Sequence, residues 1–141
     1  MRGVSNRRWR QGELVQDRPT AVELLDALVG FMRDRAENAR DRWERFQFQV
    51  AANSIGIVKR ELELEDGFLR IEWAGLDRLL GAEEMPKEQA ALAVRLGERN
   101  AELVEQIRSG AFDGEAEARL LPHLWETIVN KVRVASPNEA L

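Results

Sequence analysis

The sequence predicts an all-α fold, a bundle of four to five helices that are mostly antiparallel. Apolar residues recur at steps of three and four from Leu24 to Val132, and no segment has the strict alternation of a strand. The breaks between these apolar runs are short, which favours antiparallel neighbours. A chain of 141 residues with 44% hydrophobic and 33% charged residues is long enough to bury one core without disulfides.

The first 18 residues differ from the rest in composition. They contain five arginines, two acidic residues and one aromatic residue, Trp9, and they show no periodicity. We predict that residues 1–18 are a flexible basic extension, that residues 19–137 form the bundle, and that residues 138–141 are a tail. The net charge of the whole chain is −4, so the bundle itself is acidic. An acidic body argues against nucleic-acid binding.

The first two predicted helices have clear starts. Thr20 and Glu23 have the spacing of a capping box, in which each side chain accepts a hydrogen bond from the backbone N–H of the other residue. The predicted buried face of the first helix is Leu24, Leu25, Leu28, Val29, Phe31 and Met32. A turn near 38–41 then leads into a central helix over about 41–64. Gly56 inside that helix indicates a close helix crossing, because glycine otherwise costs about 1 kcal/mol there.

Asp66-Gly67 is predicted to end the central helix, and a third helix follows over about 68–80. Gly81 suits the position just after a helix end. The predicted inward side of this third helix is Leu69, Trp73, Leu76 and Leu80.

Pro86 is predicted to open a fourth helix that runs to about Ser109, because proline is favoured in a first turn. Gly97 inside it again indicates close packing. Its expected inward residues are Ala93, Leu96, Asn100, Leu103, Val104 and Ile107. The last helix follows Asp113-Gly114 and stops before Pro137. Either Pro122 kinks this helix, or a short turn comes first and the helix truly starts near Leu121.

The composition excludes several classes of chemistry. The sequence has no cysteine and one histidine, His123, so it cannot form a disulfide or a thiolate nucleophile. A di-metal carboxylate bundle needs a Glu-x-x-His motif on two helices. We therefore expect no metal, no cofactor and no catalytic residue. No apolar run reaches the length of a membrane span, and no secretory signal is present, so a cytoplasmic location is expected.

Three residues remain as candidates for a binding site. His123 titrates near neutral pH and could act as a base or ligand, although a structural or surface role is the simpler interpretation. Asn53 flanks the central apolar stripe and either bonds to a neighbouring backbone or contacts a ligand. Arg60 either clamps an anionic group or pairs with an acidic neighbour. Trp73 and Trp125 are interpreted as core anchors first and as anchors for a partner second.

Several segments together resemble a known bacterial family. They are Arg18-Pro19-Thr20-Ala21-Val22-Glu23-Leu24-Leu25, Val50-Ala51-Ala52-Asn53 with Ile57-Val58 and Arg60-Glu61-Leu62, Leu120-Leu121-Pro122-His123-Leu124, and Lys131-Val132 with Val134-Ala135-Ser136-Pro137. Over about residues 16–137 the chain resembles the family described as domain of unknown function 6285. The family pattern starts close to Asp17, which implies that residues 1–14 are a start-site artefact and that Val15 is the natural initiator. Gly56, Pro122 and Ser136 depart from the family pattern.

The resemblance implies a small helical protein without an assigned activity, encoded near phosphotransferase-like or acyl-CoA dehydrogenase-like enzymes. From the residues we predict a non-catalytic accessory or interaction protein, because Trp43, Phe46, Phe48 and Trp73 place large apolar groups on more than one side of the central helices. It would bind a second copy of itself or a partner protein. The alternative is a binding module for a small acyl or CoA-like ligand, with a pocket between helices near Asn53 and Arg60.

Overall fold

The computed structural model describes residues 18–139, which form four α-helices and two short 3-10 turns without a strand. The helices are α1 (Ala21–Glu37), α2 (Arg42–Leu80), α3 (Gln89–Arg108) and α4 (Glu117–Ala135). The all-α class is therefore confirmed. The chain divides after Ile55 into two compact units, one before and one from Gly56 onward. The expected extension and the expected start at Val15 lie outside the described residues, apart from Arg18.

In the first unit, α1 begins as predicted. The Thr20 hydroxyl accepts from the Glu23 N–H at 3.2 Å, and a Glu23 carboxylate oxygen accepts from the Thr20 N–H at 2.7 Å. A similar arrangement starts α2, where Asp41 accepts from the Glu44 N–H at 2.8 Å and Glu44 accepts from the Arg40 N–H at 2.7 Å. These side chains satisfy N–H groups that have no partner inside the helices.

The predicted buried face of α1 is largely wrong. Val29 is buried, but Leu24, Leu28 and Phe31 are exposed. Along the first part of α2 in the same unit, Trp43 and Phe46 stack on each other with ring centroids 5.7 Å apart. Both aromatic side chains are nevertheless more than half exposed. In this unit the apolar periodicity located the helical segments but not the positions that are covered.

The predicted break at Asp66-Gly67 is wrong, because α2 is continuous through it. Asp66 pairs with Arg70 one turn later, with Nε 2.9 Å from the carboxylate. Gly67 therefore lies inside a helix and not in a turn, and a methyl group there would contact nothing within 4 Å. The helix ends instead at Leu80, and Gly81 follows it as predicted. The φ of Gly81 is 103°, a left-handed conformation that favours glycine.

The core of the second unit lies among α2, α3 and α4. Trp73 and Leu76 of α2 pack with residues of α3 and with Phe112, which precedes α4. The buried cluster consists of Trp73, Leu76, Leu92, Leu96, Leu103, Phe112 and Leu120. Three helices thus share one apolar centre, which fixes the walls of the clefts described below.

Three details of α3 differ from the sequence prediction. The helix starts at Gln89 rather than at Pro86. Gly97 does not mark close packing, since a methyl group there would meet nothing within 4 Å. Ala93, Val104 and Ile107, expected inside, are exposed.

The start of α4 near Leu121 is also wrong, because the helix begins at Glu117 after a 3-10 turn over Gly114–Ala116. Pro122 lies inside the helix. Its missing N–H removes one backbone hydrogen bond, and burial of Leu120 and His123 on either side of it keeps the segment helical.

Candidate functional site

His123 lies on the inner face of α4 and is 5% exposed. Its imidazole packs against the backbone of α2 at Gly75, where an added Cβ would come within 2.7 Å of the ring carbon Cε1. Burial lowers the pKa of His123 below its ordinary value of 6.5. The nearby Glu72 carboxylate opposes this shift, and Arg78 adds to it. The neutral ring therefore fills a space that only glycine leaves open on α2.

A shallow cleft reaches His123 beside Gly75, and Arg78, Arg119 and Glu126 line its mouth. No hydrogen bond orients the imidazole within residues 18–139. A general base needs a partner that fixes its tautomer and a nucleophile in reach. Within the described residues nothing fixes the tautomer of His123, and packing against Gly75 holds its ring.

One interpretation from the sequence was that Arg60 pairs with an acidic neighbour, but the structure shows a different contact. Its Nε donates to the backbone carbonyl of Val134 at 2.6 Å, and its guanidinium covers Gly56. Val134 is in the last turn of α4, where carbonyls lack helical partners and the helix dipole favours a cation. Arg60, on the same helix, therefore covers Gly56. The predicted helix crossing at Gly56 is wrong.

The three candidate residues do not form one site. Asn53 lies in the first unit and is exposed, so it is not the buried amide that its position beside the apolar stripe suggested. His123 belongs to α4, and Arg60 contacts α4 at Val134. These two positions on α4 are eleven residues apart in sequence, which corresponds to roughly 16 Å of helix. Each residue therefore acts in its own local setting.

A groove between α2 and α4 is the clearest cleft in the second unit, and we name it the α2–α4 groove. Its volume is about 290 Å³. Apolar side chains form most of its surface, while glutamates of α2 and Lys131 of α4 stand along its walls. The lining residues are Ile57, Glu61, Glu65, Phe68, Leu69, Glu72, Thr127, Asn130, Lys131, Val134 and Ala135.

Two of these glutamates are held by neutral amides. The Gln89 side chain donates to Glu65 at 3.0 Å, and the Asn100 side chain donates to Glu72 at 2.7 Å. Asn130 lies deeper, only 6% exposed, and its Oδ1 accepts from Arg133 at 3.3 Å. Its amide nitrogen has no acceptor within the described part of the chain.

Arg99 is a fully buried residue that the sequence analysis did not single out. Its guanidinium lies 4.6 Å from the centre of the Trp73 ring, and it donates to Asp77 at 2.7 Å and to the carbonyl of Gly81 at 2.6 Å. It thus ties α3 to the C-terminal end of α2. The signal was present, since Leu92, Leu96, Arg99 and Leu103 have the spacing of one buried helix face.

Residues 18–139 contain no group of three or more His, Cys, Asp or Glu residues arranged to hold a metal ion. Across the same range, no helix combines the length and the apolar character that crossing a membrane requires.

The fold is that of an all-helical protein. The titratable side chains described above pack against neighbouring helices, cap helix ends or line the α2–α4 groove. The chain belongs to the family described as Domain of unknown function (DUF6285), whose model matches residues 38–139. The resemblance seen in the sequence is therefore confirmed, although the match begins at residue 38 rather than near 16. No curated protein and no solved structure matches the chain.

Proposed function

We propose that the protein is a non-catalytic helical interaction protein, and that it binds a second copy of itself through the outer face of α4. We define the α4 outer face as Leu121, Trp125 and Ile128. These side chains are 52%, 62% and 54% exposed, although the opposite side of the same helix is buried. An exposed apolar row on a helix that is already packed on its other side is typical of a surface that binds a partner.

The spacing of this face suits a second helix. Leu121, Trp125, Ile128 and the half-buried Val132 are separated by four, three and four residues. That is the repeat with which two helices interdigitate along a seam. The row lies within α4 alone, so a partner helix can reach all of it.

The charges beside the row favour a second copy of α4 in the antiparallel direction. Glu117 and Lys131 lie two heptads apart on the same flank of the row, and both are exposed. Neither has an ion-pair partner among residues 18–139. In an antiparallel pair centred near Leu124, Glu117 of each copy faces Lys131 of the other. In a parallel pair, this flank of one copy would face the other flank of its partner, so the two charges would not meet.

The interface is small. Fully burying a Leu, Ile or larger side chain stabilises by roughly 1.5–3 kcal/mol, and these side chains are about half exposed. Association costs at least about 4 kcal/mol in lost freedom of motion. We therefore expect a weak, reversible dimer with a dissociation constant in roughly the millimolar range.

Sedimentation equilibrium over a range of concentrations tests this proposal. The wild type is expected to interconvert between monomer and dimer, and Trp125→Glu to remain a monomer. Val94→Glu is the matched control, because Val94 is equally exposed but lies on α3; it should dimerise like the wild type. Glu117→Lys and Lys131→Glu should each weaken the dimer, and the double variant should restore it.

A wild type that stays monomeric up to its solubility limit would contradict the second copy as partner. Recovery of a phosphotransferase-like or acyl-CoA dehydrogenase-like enzyme bound to that monomer would assign the α4 outer face to a different protein. Weakening by Val94→Glu as large as that by Trp125→Glu would place the interface elsewhere.

A further inference from the structure

The cleft beside His123 is a feature of the second unit that the proposed interface does not use, and we name it the His123 cleft. Its walls come from α2, near Gly75, and from α4. Its volume is about 320 Å³, near the lower end of the range for small-molecule sites. Trp125 of the α4 outer face does not line it, and neither do Asn53 and Arg60, where the sequence led us to expect a ligand pocket. The cleft is therefore separate from both places.

The imidazole of His123 is a buried polar group in this cleft that has no partner. The residue is 5% exposed, and neither ring nitrogen makes a hydrogen bond within the described chain. Among residues 18–139, the side-chain nitrogens that lack a partner and are fully shielded from solvent belong to Trp73 and Arg99. The nitrogens of His123 are not among them, so the cleft reaches them. An imidazole N–H in this position can donate to an acceptor that binds in the cleft.

Two arginines at the mouth of the cleft also lack partners. Arg78 on α2 and Arg119 on α4 both line it. Neither forms a salt bridge or a hydrogen bond with any residue that the structure describes. The other six arginines of the second unit each donate to a carboxylate, an amide oxygen or a backbone carbonyl. The two unpaired guanidinium groups of this unit therefore lie at the same cleft.

The charges around the cleft favour an anion. Its lining contains Arg78 and Arg119 against one carboxylate, Glu126, so the mouth is positive although the protein as a whole is acidic. The charged groups that act on the imidazole of His123 are Glu72 and Arg78 from α2 and Glu126 from α4. Glu126 opposes an anion in the cleft, and this gives the charge argument a test in the opposite direction.

We propose that the His123 cleft binds a small phosphate monoester, whose phosphoryl oxygens accept hydrogen bonds from Arg78, Arg119 and His123. Guanidinium groups recognise phosphate through paired N–H donors. A phosphoryl group offers three oxygens to three donating side chains, whereas a carboxylate offers two. Leu79 and Pro122 also line the cleft and provide an apolar surface for the organic part of the ligand.

The lone histidine reports binding at this site directly. His123 is the one histidine of the chain, so an untagged protein gives one set of imidazole signals in a proton–nitrogen-15 spectrum. We expect these signals to move in a saturable way when phenyl phosphate is added at constant ionic strength. A pH titration should show a higher pKa for His123 with phenyl phosphate than with chloride, because a neighbouring anion favours the protonated ring.

Three probes identify the chemical group that is recognised: phenyl phosphate, benzoate and inorganic phosphate. Isothermal titration calorimetry at about pH 7.5, where the phosphates are mostly dianions, measures the affinities. Phenyl phosphate is expected to bind roughly tenfold more tightly than benzoate, which has the same ring and a different head group. Inorganic phosphate should bind several-fold more weakly than phenyl phosphate. Equal affinities for the two phosphates would contradict a monoester and assign the cleft to free phosphate.

Charge variants test the residues. Arg78→Gln and Arg119→Gln should each weaken phenyl phosphate binding by roughly fivefold, and Glu126→Gln should strengthen it. Arg108→Gln is the matched control, because it removes the same charge from an exposed arginine that does not line the cleft. It should bind like the wild type. Circular dichroism confirms that each variant is folded.

Three results would overturn the proposal. The first is the absence of saturable binding of phenyl phosphate. The second is binding that leaves the His123 signals unchanged, since the ligand would then lie elsewhere. The third is a loss of affinity in Arg108→Gln as large as that in Arg78→Gln and Arg119→Gln, which would mean that only the net charge of the protein matters.

Discussion

The imidazole of His123 touches the backbone of α2 at a position where no side chain fits. We predict that Gly75→Ala lowers the free energy of unfolding by about 1–3 kcal/mol, because the new methyl group overlaps the ring. Urea unfolding followed by circular dichroism measures the change. Gly97→Ala is the control, since it meets nothing within 4 Å and should be neutral or stabilising by up to about 1 kcal/mol.

A double-mutant cycle attributes the effect to this contact. In a His123→Ala background the methyl group at position 75 has room, so the penalty for Gly75→Ala should shrink markedly. An unchanged penalty would mean that the glycine is needed for another reason.

Burial of the same ring also makes stability depend on pH. The pKa of His123 is lowered in the folded chain, so below about pH 6.5 the unfolded chain binds the proton more readily. The stability contributed by the neutral ring is fully present above that pH and is lost as the pH falls toward the folded pKa. Since the chain has one histidine, its titration is separated from that of most carboxylates, which lies below about pH 4.5.

The measurement is the free energy of unfolding in urea between about pH 5 and pH 7.5, for the wild type and His123→Gln. We expect a decrease toward low pH in the wild type that is largely absent in the variant. Equal slopes in the two proteins would contradict a lowered pKa for His123.

At the scale of the helices, Arg99 holds the end of α2 against α3. Arg99→Met removes its hydrogen bonds to Asp77 and to the Gly81 carbonyl while leaving both acceptors in place, so we predict a loss of about 3 kcal/mol in the free energy of unfolding. Arg99→Lys keeps the charge but not the planar contact with Trp73. Its free energy of unfolding should therefore lie between those of the wild type and Arg99→Met. Urea unfolding measures both variants.

Arg108→Met is the matched control on the same helix, because the ion pair of Arg108 with Glu105 is on the surface. It should change stability by no more than about 0.5 kcal/mol. An Arg99→Met variant as stable as the wild type would mean that the hydrogen bonds of Arg99 do not stabilise the packing of α2 against α3.

The helices also show what the sequence can and cannot specify. Local chemistry predicted the Thr20–Glu23 cap and the end of α2 at Gly81, because both depend on a few adjacent residues. It failed at Gly67, where the apolar contacts on either side and the Asp66–Arg70 pair outweigh the cost of a mid-helix glycine. Arg99 was missed because arginine is usually found at the surface, although its position fits the buried face.

Across the molecule, the sequence could not distinguish apolar residues that fill a core from apolar residues that remain on the surface. Trp73 and Trp125 have similar helical surroundings in the sequence, yet Trp73 is buried and Trp125 is exposed. Periodicity reports that a face is apolar but not which element covers it. The α2–α4 groove was equally beyond the sequence, because its walls come from residues about 60 positions apart that only packing brings together.

Exposure of Trp125 gives the protein a stability that should depend on its own concentration. Because only the folded chain carries the α4 outer face, dimerisation stabilises the fold by mass action, by about 1.4 kcal/mol per mole of dimer for each tenfold rise in concentration above the dissociation constant. The thermal midpoint of the wild type should therefore rise by a few degrees across that range. Calorimetric scans at several concentrations measure it, and Trp125→Glu should melt at one temperature throughout. A wild-type midpoint that does not move would mean that the exposed row binds no second copy, whatever else it binds.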